Sequence, residues 1–164
     1  MEITPVPKLM QAGVNVGLGT DSAVSNNNLN LWEEIHLTAT LHGFVARDAS
    51  LVPGDSALRM ATVGGARALG REHDLGTLEP GKKADVIVLD LREPHLHPLE
   101  GTLVGNLLYA ASGHEVRDVL VDGHVLMRDG KILAFDEAEV LRQADAIVRR
   151  LRKEVGLPER YERP

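Results

Sequence analysis

The stretch DVLVDGHVLMRDGKIL, residues 118–133, carries two Asp-Gly pairs, Asp122-Gly123 and Asp129-Gly130, each set between short apolar runs. Asp and Gly tolerate the left-handed backbone that a two-residue hairpin turn demands, so this spacing predicts three short strands in a meander. Upstream, GTLEPGKKADVIVLDL reads as a turn-rich lead into a further strand, Ala84 to Leu89. A Pro/His linker, PHLHPL, and a helix over Thr102 to Ala111 separate that strand from the meander.

The first part of the chain has a different character. Residues 5–13 read as a helix end with Gly13 as the stop signal. Val14 to Leu18 (VNVGL) is an apolar run of strand type, too short for a helix and followed at once by turn residues. A polar loop, Gly19 to Asn30, leads to a helix from Leu31 to about Val45, opened by an Asn30/Glu33 capping pair. Apolar residues fall on most of its sides (Leu31, Trp32, Ile35, Leu37, Ala39, Leu41, Phe44), which predicts thorough burial. Asp55 is expected to cap a second helix through Leu58 and Ala61, with Gly64 and Gly65 breaking it before a turn at Leu69 and Gly70. Near the C-terminus, Asp136 with Glu139 caps a long helix whose stripe is Leu141, Ala144, Val148, Leu151 and Val155. Three parts follow: a helix–strand–helix segment over 1–74, a mainly stranded segment over 75–134, and a helix and tail over 135–164.

The 164 residues suffice for one domain or for pieces of two. With no cysteine, disulfides and thiolate metal sites are excluded, including the deaminase sites that hold zinc with two cysteines and a histidine. A formal charge of −6 and 3% aromatic residues argue against nucleic-acid binding, which needs a basic face or stacking platforms. No apolar run is long enough to span a bilayer, and the N-terminus does not read as a signal peptide. The expectation is a cytoplasmic protein acting on a small molecule, with no membrane partner.

Chemistry centres on GLGTDS, Gly17 to Ser22, where the apolar run passes directly into Gly-Thr-Asp. In an α/β barrel the reactive groups sit where strands end and loops begin, so Asp21 is the leading candidate; capping of the next turn is the plainer reading of the same residue. Ser22, Ser25 and Asn26 to Asn28 read first as turn residues and second as groups that orient Asp21. Gly17 and Gly19 read as close-approach or turn glycines, Trp32 as a buried anchor, and Glu33-Glu34 as a helix-start charge pair. His95 and His97 form a His-x-His, but they lie between prolines with no third ligand in view, so they read as solvated linker residues. His36 and His42 are out of helical register with each other, and His73, His114 and His124 read as surface residues.

GVNVGLGTDSAVSNNNLNLWEEI resembles the last barrel strand, and the loop after it, of the metal-dependent amidohydrolase superfamily. In the same order, SALRMATVGGARALG resembles the helix pair closing that barrel. LGTLEPGKKADVIVLDL resembles the re-entry into the accompanying β-sandwich, and LLYAASGHEVRDVLVDGHVLMRDGKIL its final hairpins. The likeness covers nearly the whole chain. Its loop TDSAVSNNNLN is most similar to the branch that deaminates methylthioadenosine and S-adenosylhomocysteine; chlorohydrolases and guanine or cytosine deaminases share much of the pattern.

The resemblance implies an α/β fold: the C-terminal part of a (β/α)8 TIM-like barrel, part of a small β-sandwich, and a C-terminal helix. It implies that Asp21 is at once metal ligand, substrate contact and catalytic group in hydrolytic deamination, with a divalent metal, zinc, as cofactor. The family's histidine ligands and its substrate-contacting Glu, Arg and His belong to earlier strands, and no histidine precedes Asp21 here. The chain therefore reads as beginning inside the enzyme, as a homo-oligomer subunit or a protein lacking an N-terminal part. Half of a split enzyme and a non-catalytic scaffold are the alternatives, and guanine, cytosine or chlorotriazine rings the alternative substrates.

Overall fold

The computed structural model describes residues 3–101 and 103–158. Helix α1 (Val6–Gln11) starts beside Pro5 and ends before Gly13, whose φ of +70° favours a residue without a β-carbon. After the short α2 (Ala23–Asn26), the long α3 (Leu31–Ala46) begins at Asn30, whose side chain accepts from the Trp32 N–H at 3.1 Å. Only half of the predicted capping pair forms. Glu33 turns to Asn28 instead, and Asn28 Oδ1 takes the Asn30 N–H. Helix α4 (Gly54–Arg59) starts at Pro53, with Asp55 in its first turn rather than at its cap.

Gly64 and Gly65 do not break the second helix. The chain passes from α4 through one π-turn (Met60–Gly64) straight into α5 (Gly65–Ala68), and stops at Leu69 and Gly70. The reason is a backbone crossing. Val14 to Leu18 runs in extended form over this turn. A β-carbon on Gly64 would lie 2.4 Å from the Val16 carbonyl oxygen, and one on Gly17 would lie 3.1 Å from the Gly65 Cα. The predicted strand over these residues is thus corrected. It pairs with no strand among the described residues and bonds to helices instead: Val14 N–H to Leu9 O, the Asn15 amide to Gly64 O at 3.0 Å, and Leu18 N–H to Met60 O at 3.2 Å.

Two small cores meet under this segment. Ile35, Ala39, Ala57 and Leu108 form one and Val6, Val52 and Met60 the other, with Leu18 packed against both. Helix α6 (Leu103–Tyr109) supplies Leu108 and packs on α3 and α4; the predicted start of this helix, Thr102, lies outside the described residues. Helix α3 is less buried than its composition suggests. Ile35 and Ala39 are buried, whereas Leu37, Val45 and Phe44 are exposed, Phe44 at 83%, because α4 and α6 cover only one side.

The second half is a four-stranded antiparallel sheet in the order β1 (Val86–Leu89), β2 (Val116–Val121), β3 (His124–Arg128), β4 (Lys131–Ile132). Both Asp-Gly turns have the expected left-handed pairs, with φ of +49° and +79° at Asp122-Gly123 and +49° and +72° at Asp129-Gly130. A cleft of about 500 Å³ lies between α5 and β1, lined by Ala61, Ala66, Leu69, Leu78 and Val86 among others. The last helix, α7 (Glu137–Glu154), is capped by Asp136 as expected, its carboxylate accepting from the Glu139 N–H. None of its residues is buried; Leu141, Val148 and Val155 of its apolar stripe are all exposed.

The crossing at Gly64 makes a direct prediction. Gly64→Ala forces the Val16 backbone away and costs about 1–3 kcal/mol in urea unfolding, the range of an overpacked core. Gly65→Ala, whose β-carbon meets nothing closer than 3.8 Å, is neutral or raises stability by up to about 1 kcal/mol. Equal behaviour of the two variants would refute this account of the crossing.

Candidate functional site

Asp21 stands three residues beyond the crossing segment, exposed at the start of the polar loop. Its φ of +57° is left-handed, a conformation that costs a residue with a β-carbon roughly 1 kcal/mol or more. Ser25, on α2, donates its hydroxyl to Asp21 Oδ2 at 2.7 Å, while the Ser22 hydroxyl lies 3.2 Å from that of Ser25. Asn26 Nδ2 bonds the Thr20 carbonyl at 2.9 Å and Glu34 Oε1 at 2.7 Å; Asn28 Nδ2 bonds Glu33 Oε2 at 2.7 Å. Ser25 thus reaches the Asp21 carboxylate, with Ser22 joined to it, and Asn26 holds the carbonyl that enters Asp21, whereas Asn28 serves Glu33 and the Asn30 N–H. Asn27 contributes its left-handed φ of +67°, which ends α2.

The loop is tied to the rest of the molecule at the start of α3. Asn30 donates its amide to Ser112 O at 2.8 Å, and Trp32 lies where a β-carbon on Gly113 would come within 2.8 Å of its ring. Residues 112 and 113 are in turn held by Glu115, a buried carboxylate at 2% exposure. It accepts from the Ser112 N–H at 3.1 Å, the Gly113 N–H at 2.8 Å and His95 Nε2 at 2.7 Å. Burial alone would raise the Glu115 pKa. The bonds from its own N–H, His95, Ser112 and Gly113 outweigh that and hold it at about 2, below the ordinary 4.5. Sequence reasoning missed Glu115, and His95 is more than a solvated linker residue: although half-exposed, it closes this anchor.

The other histidines follow the sequence reading more closely. His97, His73, His114 and His124 are exposed. His36 Nδ1 lies 3.1 Å from Leu108 O and its ring meets Tyr109 edge-on, which joins α3 to α6.

A catalytic divalent metal needs three or more protein donors in fixed geometry. Among the described residues no three His, Asp or Glu side chains converge to hold one. Asp21 can offer one carboxylate; the donor set present does not amount to a zinc site. Neither the cleft beside α5 nor a smaller one of about 300 Å³ around Val14, Asn15 and Arg59 includes Asp21 in its lining.

The sequence profile of the Amidohydrolase family matches residues 1–126. The chain belongs to this family. Among relatives of the amidohydrolase chain, the 5-methylthioadenosine/S-adenosylhomocysteine deaminase of Caldanaerobacter subterraneus subsp. tengcongensis is 48% identical over 141 residues, 86% of this chain and 32% of that protein. A 5'-deoxyadenosine deaminase of Methanosarcina acetivorans is 47% identical over 142 residues, covering 87% of this chain and 32% of that protein. The crystal structure of an adenosine deaminase from Xanthomonas campestris with bound zinc aligns with a TM-score of 0.88 at 36% identity, over 92% of this chain and 34% of that one. The atrazine chlorohydrolase of Arthrobacter aurescens complexed with zinc aligns at 0.80 and 27% identity, over 89% of this chain and 32% of that one. The amidohydrolase chain thus spans about one third of the length of the relatives it matches.

The Glu115 anchor is testable by pH. A depressed carboxyl contributes stability that is complete above its unfolded value, near pH 4.5, and is lost as pH falls toward about 2. Glu115→Ala leaves the Ser112 and Gly113 N–H groups unpaired and lowers unfolding stability at neutral pH by about 2–3 kcal/mol. The wild-type and variant stabilities should converge below pH 4.5; a gap independent of pH would assign the loss to packing alone.

Proposed function

We propose that the complete protein to which these residues belong is a metal-dependent hydrolase of C–N bonds that deaminates adenosine-type thioether nucleosides. The observation that carries this reading is the 48% identity to a named methylthioadenosine/S-adenosylhomocysteine deaminase over 86% of this chain, beside a family profile whose matched residues include the GTDS loop. The 27% identity to the chlorohydrolase favours the nucleoside over a chlorotriazine ring. In this reading residues 1–74 are the closing part of a (β/α)8 barrel, 75–134 part of a β-sandwich, and 135–164 a C-terminal helix and tail, acting in the cytoplasm.

Within it Asp21 is a ligand of a divalent metal, zinc by the precedent of the two aligned structures, and a contact of the substrate. The remaining donors come from outside this chain. Hydrolysis adds water at the purine carbon bearing the amino group and releases ammonia. In this reading the Asp21 carboxylate takes a proton from the attacking water and returns it to the departing nitrogen. Ser25 donates to Oδ2 and so helps to orient the carboxylate for these roles.

The test is ammonia release from methylthioadenosine, S-adenosylhomocysteine and 5'-deoxyadenosine. Residues 1–164 with added zinc should be inactive, because one carboxylate does not hold a catalytic metal. A polypeptide joining this sequence to the family's His-x-His portion should turn over, and Asp21→Ala should reduce its kcat to background. Metal-dependent turnover by residues 1–164 alone would overturn the reading, and so would near-normal rates in Asp21→Ala.

A further inference from the structure

Behind Asp21 the loop is braced by two side chains that the reaction itself does not require. Asn26 Nδ2 reaches the Thr20 carbonyl at 2.9 Å and Glu34 Oε1 at 2.7 Å. Both partners only accept, and a side-chain amide nitrogen carries two hydrogens. The orientation of Asn26 is therefore fixed and both bonds are made together. The Thr20 carbonyl belongs to the peptide unit that enters Asp21, so holding it holds the φ of Asp21. That φ is +57°, left-handed, which Asp tolerates better than most residues but still at a cost, so a bond that holds the peptide favours it. Released, the peptide would relax toward negative φ and swing the carboxylate away from its present direction.

Two carboxylates begin α3, and only one of them is in this bracket. Glu33 is exposed and ends on Asn28, whose Oδ1 serves the Asn30 N–H. Glu34 is half-buried and ends on the amide that reaches Thr20. Both charges suit a helix start equally, so the dipole does not distinguish them; the hydrogen bond does. The role asked of Glu34 is that of an oxygen acceptor, which a neutral amide can also fill.

We infer that Glu34 is a positioning residue for Asp21, acting through Asn26 to keep the Thr20–Asp21 peptide in the left-handed turn that presents the carboxylate. The inference rests on the reading of Asp21 as the reactive carboxylate.

The experiment uses the complete active polypeptide in four forms: wild type, Glu34→Ala, Glu34→Gln and Glu33→Ala. Crystal structures read the Asp21 backbone, and ammonia release reads kcat and KM. Glu34→Ala should move Asp21 out of the left-handed region and lower kcat by about 10- to 100-fold, the effect of a reacting group misplaced by about an ångström. Glu34→Gln, which keeps the acceptor, should restore both the backbone and most of the rate. Glu33→Ala should change neither. If Glu34→Ala does not fold, Asn26→Ala removes the same bracket from its other end and should give the same two readouts. An unmoved Asp21 in the truncated variant overturns the inference. So does a Glu34→Gln variant as impaired as Glu34→Ala, which would mean that the charge itself acts, or an equal loss in Glu33→Ala, which would mean a helix-start effect. Failure of the parent reading looks different: Asp21→Ala would then keep its activity, while the backbone of Glu34→Ala would still report whether the bracket holds the turn.

Discussion

The close passage of Val16 over Gly64 is the contact on which the arrangement of the first half depends. Two backbones meet there without an intervening side chain, and the π-turn offers carbonyls that the extended segment uses. Met60 O takes the Leu18 N–H, and Gly64 O takes the Asn15 amide. Leu18, set by that pairing, enters both small cores, and Asp21 follows three residues later. The direction of the candidate carboxylate is thus inherited from a glycine contact some forty residues away in sequence. π-Turns recur at functional sites; here Met60 O accepts the Gly65 N–H within the turn and the Leu18 N–H from the crossing segment as well.

A second anchor comes from the stranded half. Glu115 closes the turn at 112 and 113, that turn receives Asn30 and Trp32, and these begin α3. Helix α3 then presents Glu33 and Glu34 to the loop asparagines. The Asp21 loop is therefore held on one side by helix α4 and its π-turn, and on the other by a buried carboxylate beside β2. The cost of burying Glu115 is offset by its donors, so losing any one of them strains a group that cannot easily find water. By contrast, the apolar side chains on the outer face of α3 and along the stripe of α7 remain exposed.

What the amino-acid sequence by itself determined was local. The Asp-Gly pairs specified both hairpins, because their backbone preference matches the turn whatever surrounds it. The Asp136 cap, the Gly13 stop and the extent of α3 were legible for the same reason. So was the family, since its loop and turn residues occur in order along the chain, and with it Asp21 as the residue to examine. What only the tertiary structure decided was every feature that needs two distant segments. Gly64 and Gly65 look like helix breakers in isolation, and become a continuous π-turn because a second backbone crosses them. Val14 to Leu18 has strand composition, but a strand needs a strand partner, and the partners it finds here are helical carbonyls. Glu115 gives no signal in sequence, because a lone Glu in a turn reads as a surface residue until two N–H groups and His95 close around it. Hydrogen-bond geometry at long separation is invisible to periodicity and propensity, and that geometry is what turns Asn26 and Glu34 from loop and helix-start residues into the frame behind Asp21.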